Sequence, residues 1–163
     1  ELTMARIIPN KNTWVGFSTT VTSATPAAQT VTAATDIAAA VNLTGFLISI
    51  NASSQGNVVP TPSLDTLFET SIIGTSQATF TADFYRDSTA DTAWTTLPRG
   101  TVGYFVVARF GTLGLAPIAG KVVEIWPVQV VSRTSASVSN NTVQTFTVTG
   151  SVPQEPNEAS TVL

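Results

Sequence analysis

The chain has 163 residues, 43% of them hydrophobic, which is enough for one domain with a core and excludes a chain disordered by its composition. Only 10% of residues are charged, against roughly 25% in average soluble domains, so much of the surface is expected to lie against partners. A net charge of −3 without clustered cations excludes a protein that grips phosphates, and the lack of cysteine leans away from a small disulfide-stapled secreted domain.

Residues 1–12 (ELTMARIIPNKN) read as an N-terminal arm, because Pro9 and the Asn10-Lys11-Asn12 cluster break any element. No secretory leader is expected from Glu1-Leu2-Thr3, and no stretch approaches the ~20 apolar residues of a membrane helix. Residues 13–21 read as a first strand anchored by Trp14 and Val15, with Gly16 marking a bulge or a close approach. Thr35-Asp36 before residues 37–41 resembles a cap followed by a short helical run. Residues 43–51 alternate, with Phe46, Ile48 and Ile50 on one face of a strand. Residues 52–62 (ASSQGNVVPTP) are polar and contain Gly and Pro, and read as a long loop, with a turn of helix over 63–68.

The stretch 78–111 organises the rest. Phe80, Ala82 and Phe84 share one face of a half-buried strand, and Thr79, Thr81, Asp83 and Tyr85 the other. Asp87-Ser88-Thr89 stops it, since short polar side chains bond their own backbone in turns. A short helix over 90–97 ends before Pro98, which pushes its predecessor out of the helical region. Arg99-Gly100 is a turn. Residues 104–110 are apolar on both faces apart from Arg109, as expected of a central strand.

Residues 112–120 read as a loop. Residues 121–133 form a long strand pattern in which Pro127 predicts an edge, a bulge or a split into two strands bending between sheets. Residues 134–141 are a hairpin loop, and residues 142–150 alternate with Phe146 and Val148 on one side. Residues 151–163 form a polar tail, read as a C-terminal arm. The sum is a mainly β single domain over 1–163, a β-sandwich or partly open β-barrel with one short flanking helix, a long loop and extended terminal arms.

Chemistry-bearing patterns are missing. There is no histidine and no cysteine, and no nucleophile elbow, phosphate loop or zinc spacing occurs. No catalytic, cofactor-binding or metal residue is assigned, and an enzyme is the least favoured class. Asp83, Asp87 and Asp91 could suggest a cation site, but a strand and a helix would keep them from converging; they read as solvated charges, with Asp91 supporting the helix start. Trp94 and Trp126 read as core or interface anchors rather than the lining of a ligand pocket. The sequons at Asn42, Asn51 and Asn140 read as chance matches in a chain this rich in Asn and Thr.

The run Phe80-Thr81-Ala82-Asp83-Phe84-Tyr85-Arg86-Asp87, then Asp91-Thr92-Ala93-Trp94 and Leu97, then Gly103-Tyr104-Phe105-Val106-Val107, resembles major tail (tail tube) proteins of long-tailed, siphovirus-type bacteriophages of actinobacteria. Residues 119–130, AGKVVEIWPVQV, and the early Thr35-Asp36-Ile37 fit the same family. The resemblance implies a structural virion protein, assembled in the host cytoplasm, whose hexameric rings stack into a tube for DNA ejection. Implied partners are further copies of the chain and the terminator, tape measure and distal tail proteins. DNA would pass through the lumen without specific binding, and the arms and the 52–62 loop would bridge rings. The strands 43–51, 78–86 and 142–150 are expected to supply ring-closing edges. The alternatives are a capsid decoration protein, another virion component, or a secreted adhesion or carbohydrate-binding β-sandwich.

Overall fold

The computed structural model describes residues 12–25, 28–62, 70–110 and 112–163. The described residues form eight strands: β1 Trp14–Ser18, β2 Val41–Asn42, β3 Leu47–Thr61, β4 Thr70–Tyr85, β5 Val102–Ala108, β6 Val122–Ser135, β7 Thr145–Ser151 and β8 Asn157–Thr161. They make one antiparallel sheet in the order β2-β1-β5-β6-β7-β4-β3, with β8 added to β6. Among the described residues a single helix, α1 (Thr92–Thr96), and one π-helical turn, Ala33–Ile37, flank it.

The sheet is not flat. Adjacent strands lie about 4.8 Å apart, so β4 and β5, separated by β6 and β7, would be about 14 Å apart in a flat sheet. Yet the rings of Phe80 on β4 and Phe105 on β5 are 4.5 Å apart between centroids. The sheet therefore curls over its own aromatic face, and it stops short of closing into a barrel. Phe80, Ala82, Phe84, Phe146 and Val148 are buried inside the curl, on the faces that the alternation assigns them. Ala93 of α1 and Leu97 just after it cap this core. A second cluster covers the outside of β1, β5 and the first half of β6, where Val31, Ile37 and Val162 pack on Trp14, Val106 and Ile125. Gly16 marks a close approach: a Cβ there would lie 2.2 Å from the Trp14 ring.

Pro127 neither bends nor splits β6, and the strand is continuous. Val130 exchanges both backbone bonds with residues 100 and 101, on the β5 side. Backbone polar groups alternate along a strand, so Pro127, three residues back, turns its nitrogen to the opposite edge. There β8 has ended at Ile125↔Asn157 and β7 begins only at Gln129↔Ser151. The missing donor falls in the gap between two partners.

Four expectations are corrected. The early helical turn lies over Ala33–Ile37, and residues 41–42 are already strand. Asp36 sits inside that turn and ties it down, its carboxylate accepting the Thr32 N–H at 2.7 Å, the Thr22 N–H at 3.1 Å and the Thr22 hydroxyl. The strand expected from residue 43 starts at Leu47, and a bulge between Leu47 and Ser49 swings Ile48 to solvent while Phe46 and Ile50 stay on the core. The 52–62 loop is strand as far as Thr61. The C-terminal arm over 151–163 folds back as β8, held by Asn157 Nδ2 and Ser160 Oγ donating to the Gln29 carbonyl, with Val162 buried. Isolated apolar residues in a polar tail gave no periodic signal for it. The N-terminal arm over 1–11 and the turn over 63–68 lie outside the described residues.

Candidate functional site: a bare sheet face and a projecting hairpin

The acidic residues do not converge. Asp83 faces outward on β4, Asp87 Oδ1 caps its own turn by accepting the Thr89 N–H at 2.8 Å, and Asp91 pairs with Arg86 Nε at 2.6 Å. Asp91 precedes α1 but makes no side-chain cap bond. Among the described residues no three His, Cys, Asp or Glu side chains could hold a metal ion. Trp126 is core, and its Nε1 donates to Glu124, which also receives Arg109. Trp94 is an anchor of a different kind: the guanidinium carbons of Arg86 and Arg133 lie 3.8 and 3.4 Å from its ring centroid, and Arg133 Nη1 donates to its carbonyl at 2.6 Å.

What the fold does build is an uncovered surface. The inner face of β7-β4-β3 is aromatic, and among the described residues nothing packs on the outer face. Three cross-strand rows cross that face: Ser49–Asp83–Thr147, Asn51–Thr81–Thr149 and Ser53–Thr79–Ser151. The second half of β6 extends the rows with Thr134, Ser132 and Gln129. Apart from Val131 at the β6 bulge, this field is hydroxyl and amide, with one carboxylate and no cation. Ser49 Oγ donates to Asp83 at 2.6 Å and Thr147 Oγ1 at 2.5 Å. Those two bonds, Ser49's first, hold the Asp83 carboxyl below its usual range and keep it charged.

The second feature is the β3–β4 hairpin. β4 pairs with β7 only over Thr79–Tyr85, whereas its pairing with β3 continues to Thr61↔Thr70. Among the described residues the outer eight or so residues of each strand therefore have no strand partner beyond each other, although Ser54 Oγ at their inner limit donates to Glu158. Val58 pairs with Ile73 and Val59 with Ile72, which puts one apolar pair on each face, and all four are exposed, Ile73 at 78%. The sequence reading missed this hairpin because neither face is buried and the period-two signal vanishes. The signal that could have found it is the symmetric placement of Val58-Val59 and Ile72-Ile73 around residues 62–69. Of the three stretches expected to offer edges, only that in β3 does; β4 over Thr79–Tyr85 and β7 have neighbours on both sides.

The third feature is a hollow of about 650 Å³ where the curl fails to close, lined by Val15 on one side and Leu47, Ile48 and Ile50 on the other, with Arg109 and Leu113 at its margin.

A family model described as phage tail tube protein matches residues 3–163. No curated protein sequence matches the chain. Among solved structures, the chain is similar to a protein in the tail of an empty GTA particle refined helically with C6 symmetry, at 12% identity, TM-score 0.61, and coverage of 94% of this chain and 98% of that one. It is also similar to a chain of the six-fold-symmetrised anti-feeding prophage baseplate, at 10% identity, TM-score 0.59, and coverage of 94% and 96%. A chain of the native gene transfer agent virion matches at 15% identity, TM-score 0.51, and coverage of 72% and 87%.

Proposed function

Because the chain belongs to the phage tail tube protein family, we propose that its copies close into six-membered rings that stack into a tube, with the bare hydroxyl face lining the channel for DNA. The chain is a subunit of the virion tail tube. The observation that carries the channel assignment is the composition of the uncovered face. A surface that passes a polyanion without holding it needs polar groups that keep water and few cations, because each cation–phosphate contact adds affinity. The outer face of β3, β4, β7 and late β6 has hydroxyls, amides and a charged Asp83, and no Lys or Arg.

Ring closure is supported by the edges. β3 presents an unpaired edge at one end of the sheet, and at the other β2 spans two residues, with Thr44 Oγ1 accepting the Val15 N–H at 2.9 Å. Open edges in a monomer invite pairing with another chain, and pairing them around a ring removes the hazard. The six-fold symmetry named for two of the similar structures belongs to those assemblies, and six copies is the number we carry over. The role is structural and non-catalytic, and terminator, tape measure and distal tail proteins are the heterologous partners.

Negative-stain microscopy of the purified chain over a concentration series tests the assembly. Hollow rings or tubes with six-fold end views are expected; a monomer that stays dispersed even when seeded would transfer the chain to a decoration or adhesion role. For the channel, Thr81→Lys with Thr149→Lys should give tubes that retain short duplex DNA at low salt while wild-type tubes do not. Equal retention by both would remove the hydroxyl face from the lumen.

A further inference from the structure

We propose that Arg133 of one copy, held flat against Trp94, pairs with Glu155 of a neighbouring copy. The inference rests on the self-assembly reading above and names one ion pair that joins the copies.

One carboxylate is left over when the charges are paired off. Asp36, Asp83, Asp87, Asp91, Glu124 and Glu158 each accept from a described donor. Glu155 is exposed, and its side chain meets no donor among the described residues. Its place is fixed all the same, because its carbonyl accepts Nε2 of the fully buried Gln29 at 2.7 Å. On the cationic side, Arg133 is the charge that the fold holds ready. Its guanidinium carbon lies 3.4 Å from the Trp94 ring centroid, and Nη1 donates to the Trp94 carbonyl at 2.6 Å. The guanidinium carbon of Arg86 lies 3.8 Å from the same centroid. Two guanidiniums that close to one centroid would overlap on a shared face, so the indole is sandwiched between them. Asp91 neutralises Arg86, and no described carboxylate neutralises Arg133. The stack and the carbonyl bond leave Nε and Nη2 of Arg133 for a planar, two-point grip on a carboxylate. Exposed ion pairs are weak largely because two mobile side chains must be ordered, and here the arginine is ordered beforehand.

Within one chain the two groups sit toward opposite ends of β7. Arg133 lies opposite Val148, and Trp94 packs edge-on to Phe146 at 5.1 Å between centroids. β7 runs away from them to Ser151, and Glu155 follows four residues later. Pairing between chains therefore joins two unlike surfaces, and such a contact repeats from copy to copy instead of closing a pair. The arginine is also turned away from the proposed channel. Ser132 and Thr134 belong to the rows of the hydroxyl face, and Arg133 between them points to the other face, where α1 lies. A protein carboxylate can reach it there, and DNA on the hydroxyl face cannot.

Charge exchange in the full-length chain tests the pair. Arg133→Glu and Glu155→Arg, each alone, should raise the concentration needed for assembly roughly tenfold, and the double variant should return it to within about threefold of wild type. Thermal melting of the dispersed subunits is measured alongside. Glu155 is exposed, so Glu155→Arg should melt with wild type. If Arg133→Glu melts lower, Arg133→Gln and Glu155→Gln take over the test, and the two neutral changes together should cost assembly no more than either alone. Assembly unchanged by Glu155→Arg, or a double variant worse than both singles, overturns the pair and leaves the tube reading intact. Arg133→Glu that assembles normally but alters retention of short duplex DNA assigns the arginine to nucleic acid and also overturns it. Absence of rings and tubes in wild type overturns both.

Discussion

The two ends of the β3–β4 hairpin are one pair of strands in two environments. At the base, β4 has β7 on its other side, and Phe80, Ala82 and Phe84 are buried in the curl. At the tip the β3–β4 ladder continues with comparable registry, but Ile73 is 78% exposed and Val58 59%. Backbone pairing is thus not what separates them. An isolated two-stranded hairpin is marginal in water, so the base is held by the core, while the tip has no such core beneath it in the subunit. A substitution should act on subunit stability at the base and on assembly at the tip.

The sharpest way to break this contrast is Phe84→Ala. Phe84 is fully buried and stacks on Phe146 at 5.4 Å, so truncation should cost about 3–5 kcal/mol in denaturant unfolding. Near-wild-type stability would mean that the base is not core. Next comes a matched glycine pair. A Cβ at Gly150, opposite Phe80, would lie 2.2 Å from Val128 Cγ1 in the packed interior, and Gly150→Ala should cost about 1–3 kcal/mol. At the tip, a Cβ at Gly74 would lie 2.9 Å from Val59 Cγ2 on an exposed side chain and 3.3 Å from the Asn57 carbonyl in an uncovered ladder, so Gly74→Ala should cost less than Gly150→Ala, within about 1 kcal/mol of wild type. Equal losses at both sites would erase the distinction. Ile73→Ser should likewise leave the monomer's melting temperature unchanged while shifting assembly to higher concentration, read by sedimentation; unchanged assembly would leave the tip without a role.

The smallest effect concerns the outer face of the base. The Asp83 pKa is depressed in the folded state, so its contribution to stability is present above the ordinary carboxylate range near pH 4 and is lost as pH falls through the depressed value. Thr147→Val removes one of the two donors, and the Asp83 carboxyl resonance should then titrate at higher pH. An unmoved titration would show that Thr147 does not hold the charge.

Legibility in the sequence followed burial. Where one face of a strand is buried, alternation placed residues on the correct side, as for Phe80, Ala82, Phe84, Phe146 and Val148. Where a Pro or an Asx turn ends an element, as at Asp87 and Pro98, the boundary fell within a residue or two. Where both faces are exposed, at residues 52–62, pattern reading saw only polarity and returned a loop. Pro60 reinforced that error, although an edge strand such as β3 tolerates proline. The bulge after Leu47 is a local shift of register that no side-chain pattern announces, and it moved Ile48 alone. The hydroxyl rows were visible as residues but not as a face, because their meaning depends on nothing covering them.

Pro127 acts as punctuation on the β6 edge. A strand edge is a template that can be read in more than one frame: β8 could slide two residues along β6 and still bury alternate side chains, and β7 could lengthen past Ser151 into the same space. Neither finds a donor at Pro127, so each client of the edge keeps its own stretch and its own frame. The residue that looked like a break in a long central strand is what allows that strand to serve two partners in sequence without their competing for it.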